Sequence, residues 1–166
     1  MTHGGIRARW PVVAPWLATV ARLGLGTVWL VAGATKVDDL DASGRAVVAY
    51  RLLPFDAAMA YGAVQPFLEI ALGLMLVLGI ATRLAAAVSA VLLIAFIVGI
   101  VSAWARGLRI DCGCFSAGGD LAADQPTAYF SATIRDIGLL AVAGFLVWFP
   151  RSRLSLDSVL VDGGRA

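Results

Sequence analysis

Charged residues and histidine are scarce in this sequence. Lysine, arginine, aspartate and glutamate together make up 14% of its 166 residues, whereas a typical soluble domain has about 25%. The one histidine is His3, at the start of the chain. This excludes a histidine-based metal site or proton relay. The net charge is only +2 and no basic run occurs, so we expect no nucleic-acid partner.

Hydrophobic residues make up 60% of the chain and are clustered. Four stretches are long enough to cross a bilayer as helices, which takes roughly 20 apolar residues each. They lie at about residues 14–37, 57–80, 84–104 and 128–149. A soluble helical core would need a polar face toward water, and these runs leave none. The sequence therefore predicts an all-α integral membrane protein, a four-transmembrane-helix bundle in contact with the lipid bilayer.

The first apolar stretch has some features of a secretory leader. Arg7 and Arg9 precede it, and the small residues of "VAGA" (Val31–Ala34) are similar to a cleavage site. The stretch is, however, longer than the apolar segment of a signal peptide, which has about 7–15 residues. We therefore expect an uncleaved first helix.

The distribution of lysine and arginine predicts the orientation, because these residues favour cytoplasmic loops. The two tails and the loop between spans two and three share one side, and the other two loops share the opposite side. The first side carries Arg7, Arg9, Arg83, Arg151, Arg153 and Arg165, and the second carries Lys36, Arg45, Arg51, Arg106 and Arg109. The excess is small, but Arg83 lies in a turn of few residues. We therefore expect both termini in the cytoplasm.

This orientation predicts the organisation of the chain in the plasma (cytoplasmic) membrane. A cytoplasmic tail, 1–13, precedes a transmembrane domain, 14–149, and a cytoplasmic tail, 150–166, follows it. The loop 105–127 contains both cysteines and is predicted to be extracytoplasmic, where disulfides persist. The other extracytoplasmic loop, 38–56, has apolar residues of its own and is expected to form a short interfacial helix.

The only two cysteines lie one residue apart in "RIDCGCF" (Arg109–Phe115). Cys112 and Cys114 are just able to reach the Cα separation of a disulfide, about 4.4–6.8 Å, if the backbone bends sharply at Gly113. Such a strained bond is easily reduced. Arg109 is expected to favour a thiolate, and Asp111 to oppose it or accept its proton. A redox-active dithiol, a pair of structural cysteines and a soft-metal site such as Cu(I) on Cys112 and Cys114 remain open.

Several ionisable residues lie within the spans, where they are costly and usually face the bundle interior. Arg22 and Glu69 are predicted at similar depth, which allows an ion pair. Lys36 is expected to extend to the outer surface, and Pro66 to kink span two. The backbone carbonyl groups that Pro66 leaves without a donor would accept hydrogen bonds from the side chain of Gln65 or Arg22. Farther along, Arg135 and Asp136 are neighbours in sequence and should point in different directions.

No cofactor motif is present, so a cofactor is not assigned. Trp29 and Trp104 fall near the outer ends of spans one and three and are expected to anchor the protein at the interface. A quinone remains open as a cofactor, with Trp29, Trp104 and Arg135 as the residues that would line its slot.

Together these features resemble the DoxX-like membrane proteins, and most closely their MauE branch. The matching segments are "GLGTVWLVAGATKVDD" (Gly24–Asp39), "AYRLLPF" (Ala49–Phe55), "QPFLEIALGLMLVLG" (Gln65–Gly79), "RIDCGCF" (Arg109–Phe115) and "IRDIGLL" (Ile134–Leu140). One departure is Ser116, where the family tends to have glycine.

The resemblance implies a four-helix membrane protein of redox character. MauE is associated with the maturation of a disulfide-rich periplasmic dehydrogenase subunit alongside a thioredoxin-like partner. The implied redox pair is Cys112 and Cys114, and the implied intramembrane residues are Lys36, Glu69 and Arg135.

These observations favour a component of a thiol–disulfide oxidoreductase. Cys114 would attack and Cys112 would resolve, in exchange with an extracytoplasmic thioredoxin-like protein, and electrons would pass to or from a membrane carrier such as a quinone. Two alternatives stay open: an anchor or assembly subunit of a larger membrane complex, and a small-molecule or metal transporter that uses Glu69 and Arg22.

Overall fold

The computed structural model describes residues 4–113, 118–122 and 124–150, with side chains from residue 13 onward. Its elements are α1 (Gly4–Ala34), α2 (Leu40–Ala49), α3 (Phe55–Leu78), α4 (Thr82–Ala105), β1 (Ile110–Asp111), β2 (Gly119–Asp120) and α5 (Tyr129–Trp148). The four candidate membrane spans are Val13–Ala34, Phe55–Leu78, Thr82–Ala105 and Tyr129–Trp148. The predicted all-helical, four-span fold is confirmed, although α1 begins at Gly4, within the stretch expected to be a tail.

The helix boundaries follow local sequence signals. Helix α2, the expected short helix after the first span, begins after Asp39, whose carboxylate accepts a hydrogen bond of 2.8 Å from the backbone N–H of Ala42. Helix α3 begins after Pro54 and ends at Gly79, whose φ of 70° is left-handed, a conformation that glycine adopts without steric cost. The short turn that follows makes α3 and α4 antiparallel.

Glycines set the close packing of α1 against α3. A Cβ atom added to Gly26 would lie 3.1 Å from the carbonyl oxygen of Gly73, and one added to Gly33 would lie 2.7 Å from that of Pro66. Small residues allow such close approach between membrane helices. Gly24, two residues before Gly26 on α1, has no neighbour within 4 Å of its Cβ position. The two contacts fix the antiparallel register of α1 and α3.

Arg22 does not pair with Glu69, contrary to the prediction. Its guanidinium donates to the carbonyl oxygens of Leu76 and Val77 at 3.0 and 3.1 Å, in the last turn of α3, where carbonyls lack helical partners. The α1–α3 register explains the difference, because it puts Arg22 level with Val77. Glu69 lies about 10 Å away along the helix from Leu76, at 1.5 Å per residue. Arg22 therefore caps α3, and does not satisfy carbonyls freed by Pro66.

Trp29 is not an interfacial anchor, which also differs from the prediction. Its side chain is 3% exposed, and its indole N–H donates to the hydroxyl of Ser89 at 2.9 Å. The bond joins α1 to α4 inside the bundle. Trp104, in contrast, is half exposed at the end of α4, and its position at the membrane interface stays a prediction.

The helices pair unevenly, and this leaves space inside the molecule. Helix α1 packs along α3, α5 packs along α4 and α2 packs on the first half of α3, whereas α3 and α4 make few contacts with each other. Large apolar side chains such as Val20, Val64 and Val91 point outward, where lipid would cover them. We call the end of the bundle formed by α2, β1 and β2 the thiol end.

Candidate functional site

A two-stranded hairpin holds the cysteine segment at the thiol end. Strands β1 and β2 pair antiparallel, with Ile110 opposite Asp120 and Asp111 opposite Gly119. Just outside the strands, Arg109 donates from its guanidinium to carbonyl oxygens of the returning chain, those of Ala122 and Gln125. Arg109 therefore braces the loop. Its predicted effect on a thiolate stays a prediction.

Tyr129, the first residue of α5, fastens the hairpin to the bundle. Its buried hydroxyl accepts a hydrogen bond of 2.9 Å from the backbone N–H of Ile110 and donates to the carbonyl oxygen of Leu108. Two backbone groups of the loop are thus satisfied by one side chain.

We expect Tyr129→Phe to lower the free energy of unfolding by about 1–3 kcal/mol, because a buried amide loses its acceptor. Equilibrium unfolding in mixed detergent micelles measures the change. The matched control is Tyr61→Phe, since the Tyr61 hydroxyl has no hydrogen-bond partner among the described residues and its ring is 38% exposed. Equal effects of the two substitutions would contradict this assignment.

Cys112 is half-buried and its backbone is fixed by α2. The hydroxyl of Tyr50 donates to the carbonyl oxygen of Cys112 at 3.0 Å, and the Asp111 carboxylate accepts from the backbone N–H of Gly113 at 3.3 Å. Gly113 has a left-handed φ of 68° and approaches Ala46 so closely that a Cβ atom would lie 3.3 Å from the alanine methyl carbon. Helix α2 and the residue that follows it therefore pack directly against the thiol loop.

Cys114, the predicted attacking thiol, lies outside the described residues, as do Phe115 and Ser116. Neither the Cys112–Cys114 bond nor the alternative of a soft-metal site on the two thiols is tested. Within the described ranges, no group of three or more histidine, cysteine, aspartate or glutamate residues is placed to hold a metal ion.

A buried ion pair lies beneath the loop. The ammonium Nζ of Lys36 is 2.8 and 2.9 Å from the two carboxylate oxygens of Glu69, and the two side chains are 5% and 0% exposed. Gln65, one helical turn before Glu69, donates to the same carboxylate at 2.9 Å. Lys36 thus points into the bundle and does not extend to the outer surface, because Glu69 needs a buried counter-charge.

A second ion pair joins Arg135 to Asp136. The guanidinium Nε of Arg135 donates to the Asp136 carboxylate at 2.9 Å, so these neighbours do not diverge as predicted. The other carboxylate oxygen of Asp136 is buried and has no partner among the described residues. Asp136 lines a cavity of about 20 Å³ together with Glu69, Arg135 and Trp29, and this volume is large enough for one water molecule.

A larger cavity, here called the thiol cavity, connects the loop with the Lys36–Glu69 pair. Its volume is about 280 Å³. Its walls come from α2, α3 and α4, from the segments just before and just after α2, and from the cysteine segment. Its lining includes Lys36, Tyr50, Tyr61, Gln65, Phe96 and Cys112. The thiol-bearing residue and a buried cation therefore share one mostly apolar chamber.

The structure brings some of the predicted site residues together and separates others. Lys36 and Cys112 line the thiol cavity, and Glu69, Arg135, Asp136 and Trp29 line the small one. Arg22 and Trp104 line neither. Sequence reasoning missed Tyr50, Tyr61 and the full role of Gln65. The four-residue spacing of Gln65 and Glu69 on a helix was a usable signal.

This fold and site define a class: a multi-pass membrane protein whose helical bundle encloses a buried ion pair beneath a cysteine-bearing hairpin. The chain belongs to the MauE family. The family model described as methylamine utilisation protein MauE matches residues 14–149, a range that includes both cysteines. The family resemblance of the sequence motifs is thereby confirmed. Comparisons with curated proteins and with solved structures gave no match.

Proposed function

We propose that this protein is a thiol–disulfide redox component of the plasma membrane. Cys112 and Cys114 exchange disulfides with an extracytoplasmic thioredoxin-fold protein, in the maturation of exported proteins. The observation that carries the proposal is the position of Cys112, half-buried at the wall of a cavity, with its carbonyl bonded to Tyr50. A purely structural cysteine has no need of a cavity beside it.

The environment of Cys112 supports different roles for the two thiols, one that attacks the partner and one that resolves the mixed disulfide. Exchange proceeds when a thiolate attacks a disulfide through a mixed-disulfide intermediate. Cys112 is shielded by α2, which suits the resolving thiol. Cys114 is then the thiol that attacks the partner, and Arg109 at the base of the hairpin favours its anionic form.

The first test traps the mixed disulfide. Purified, reduced protein is incubated with a bacterial thioredoxin whose second active-site cysteine is replaced by serine and whose first cysteine carries a thionitrobenzoate disulfide as the leaving group, and the products are separated on a non-reducing gel. We expect Cys112→Ser to accumulate a thioredoxin adduct on Cys114, because no resolving thiol remains. Cys114→Ser should give little adduct, and Cys112→Ser/Cys114→Ser none. No adduct with either single variant would overturn the exchange mechanism.

The second test addresses which side the loop faces. Intact cells are treated with a membrane-impermeant maleimide after mild reduction, and the thiols of the protein are then counted by mass. Labelling in intact cells supports an extracytoplasmic loop, whereas labelling only after lysis would contradict it.

A further inference from the structure

We infer that two neighbouring arginines at the thiol end, Arg51 and Arg106, bind the phosphate of an anionic phospholipid, whose acyl chains lie against the exposed apolar residues that follow Arg51. The inference does not depend on the chemistry of the thiols. It is carried by the contact between the two arginines, by their lack of a counter-charge, by their place at the ends of two spans and by the backbone conformation of Arg51.

The two arginines are held next to each other, with donors to spare. The guanidinium of Arg106 donates to the backbone carbonyl oxygen of Arg51 at 3.5 Å and to that of Tyr50, and its Nε donates to that of Ser102 at 3.1 Å. A guanidinium has five N–H donors, so two remain on Arg106. The side chain of Arg51 is exposed and donates to no other described residue.

Neither arginine has a counter-charge. The ion pairs among the described residues are those of Lys36 with Glu69, Arg45 with Asp39, and Arg135 with Asp136. Two positive charges without a partner repel each other, and this repulsion grows where lipid lowers the dielectric constant. An anion shared by Arg51 and Arg106 would relieve it.

Both arginines lie where the lipid headgroups begin. The span Thr82–Ala105 ends one residue before Arg106, and the span Phe55–Leu78 begins four residues after Arg51. Basic residues immediately outside the apolar part of a span are attracted to anionic lipids. The pair is therefore level with the phosphates of the leaflet at the thiol end.

The backbone of Arg51 points to a use for its side chain. Arg51 follows the last turn of α2 with a left-handed φ of 53°, and its N–H donates to the carbonyl oxygen of Val48 at 2.9 Å. Glycine is the usual residue at this position after a helix, because a Cβ atom makes the conformation costly. Capping of α2 alone would favour glycine, so the arginine is kept for what its guanidinium binds.

The chemistry of the ligand follows from both parts of the site. The guanidinium fork matches two oxygens of a phosphate. Directly after Arg51 come Leu52, Leu53 and Phe55, whose side chains are 48–64% exposed, and acyl chains would cover them. A free phosphate ion satisfies the arginines only. A zwitterionic lipid brings its own cation, which competes for its phosphate, so an anionic headgroup is favoured.

The test counts bound lipids by native mass spectrometry. Full-length protein in detergent micelles is titrated with dioleoylphosphatidylglycerol, or with dioleoylphosphatidylcholine, which has the same chains and a zwitterionic headgroup. Inorganic phosphate and glycerophosphoglycerol, which lacks acyl chains, are the competitors. The variants are Arg51→Gly, Arg106→Gln and the control Arg45→Gln. Arg45 lies at the same end of the molecule but already meets Asp39 at 3.9 Å.

We expect Arg51→Gly and Arg106→Gln each to weaken binding of the anionic lipid at least about fivefold, as loss of charge-assisted hydrogen bonds does, while Arg45→Gln leaves it unchanged. The zwitterionic lipid should bind wild-type protein at least about fivefold more weakly. Equal binding of the two lipids, or equal binding by wild type and Arg51→Gly, would overturn the inference. Displacement by either competitor at the lipid's own concentration would show a site for free anions and overturn it as well.

Thermal unfolding separates binding from folding. In lipid-free detergent, Arg51→Gly should have an unfolding midpoint equal to or above that of wild type, because glycine adopts the left-handed conformation without steric cost. Added anionic lipid should raise the midpoint of wild type more than that of Arg51→Gly. Arg51→Gly decides the result even where Arg106→Gln, which loses three backbone hydrogen bonds, does not fold. A lowered midpoint of Arg51→Gly without lipid would show that Arg51 serves the fold, and would overturn the inference.

Discussion

Lys36→Met lowers the free energy of unfolding by about 3–5 kcal/mol, because it leaves the Glu69 carboxylate buried without a counter-charge. Lys36 is the only lysine of the chain and Glu69 the only glutamate, and the two bond to each other inside the bundle. Equilibrium unfolding in mixed micelles measures the loss. Glu69→Leu alone should cost a similar amount, because it leaves the ammonium unpaired.

The double variant Lys36→Met/Glu69→Leu distinguishes the interaction between the two charges from the cost of burying each charge alone. Replacing both charges by apolar groups removes the desolvation cost together with the attraction, so most of the stability should return. The control is Arg45→Met. Arg45 and Asp39 form an ion pair of 3.9 Å at the surface, each side chain 62% exposed, so its loss should cost at most about 1 kcal/mol. A double variant as unstable as the sum of the single ones would refute the pairing.

Gly62→Ala displaces helix α2 and exposes the thiol loop. A Cβ atom on Gly62 would lie 2.6 Å from both the Cα atom of Gly44 and the carbonyl oxygen of Ser43. These are backbone atoms, so α2 has to move as a unit. Overpacking of this kind typically costs about 1–3 kcal/mol. Because α2 carries Ala46 and is followed directly by Tyr50, and both residues contact the loop, Cys112 should become more accessible.

The measurement is the rate at which a maleimide reacts with Cys112 in a Cys114→Ser background. We expect Gly62→Ala to raise that rate several-fold and to lower stability. Gly138→Ala is the matched control, since no atom lies within 4 Å of its Cβ position, and alanine in a helix is favoured over glycine by about 0.5–1 kcal/mol. Unchanged reactivity in Gly62→Ala would show that α2 does not hold the loop.

The sequence alone determined the four membrane spans of this protein. Runs of about 20 apolar residues satisfy their backbone hydrogen bonds only as helices within lipid, so four spans follow from length and composition. The occurrence of Cys112 and Cys114 in one short segment and the motifs around Glu69 were also readable, and they led to the correct family.

Only the tertiary structure decided which of the buried charges meet. Rise per residue gives the depth of a side chain along its helix, but not the register of one helix against another. That register depends on the Gly26–Gly73 and Gly33–Pro66 contacts, and it assigns Glu69 to Lys36 and the last turn of α3 to Arg22. The thiol cavity arises in the same way, because it is the space left where α3 and α4 separate beneath α2. No periodicity within a single helix reports such a gap, since it belongs to the packing of several helices together.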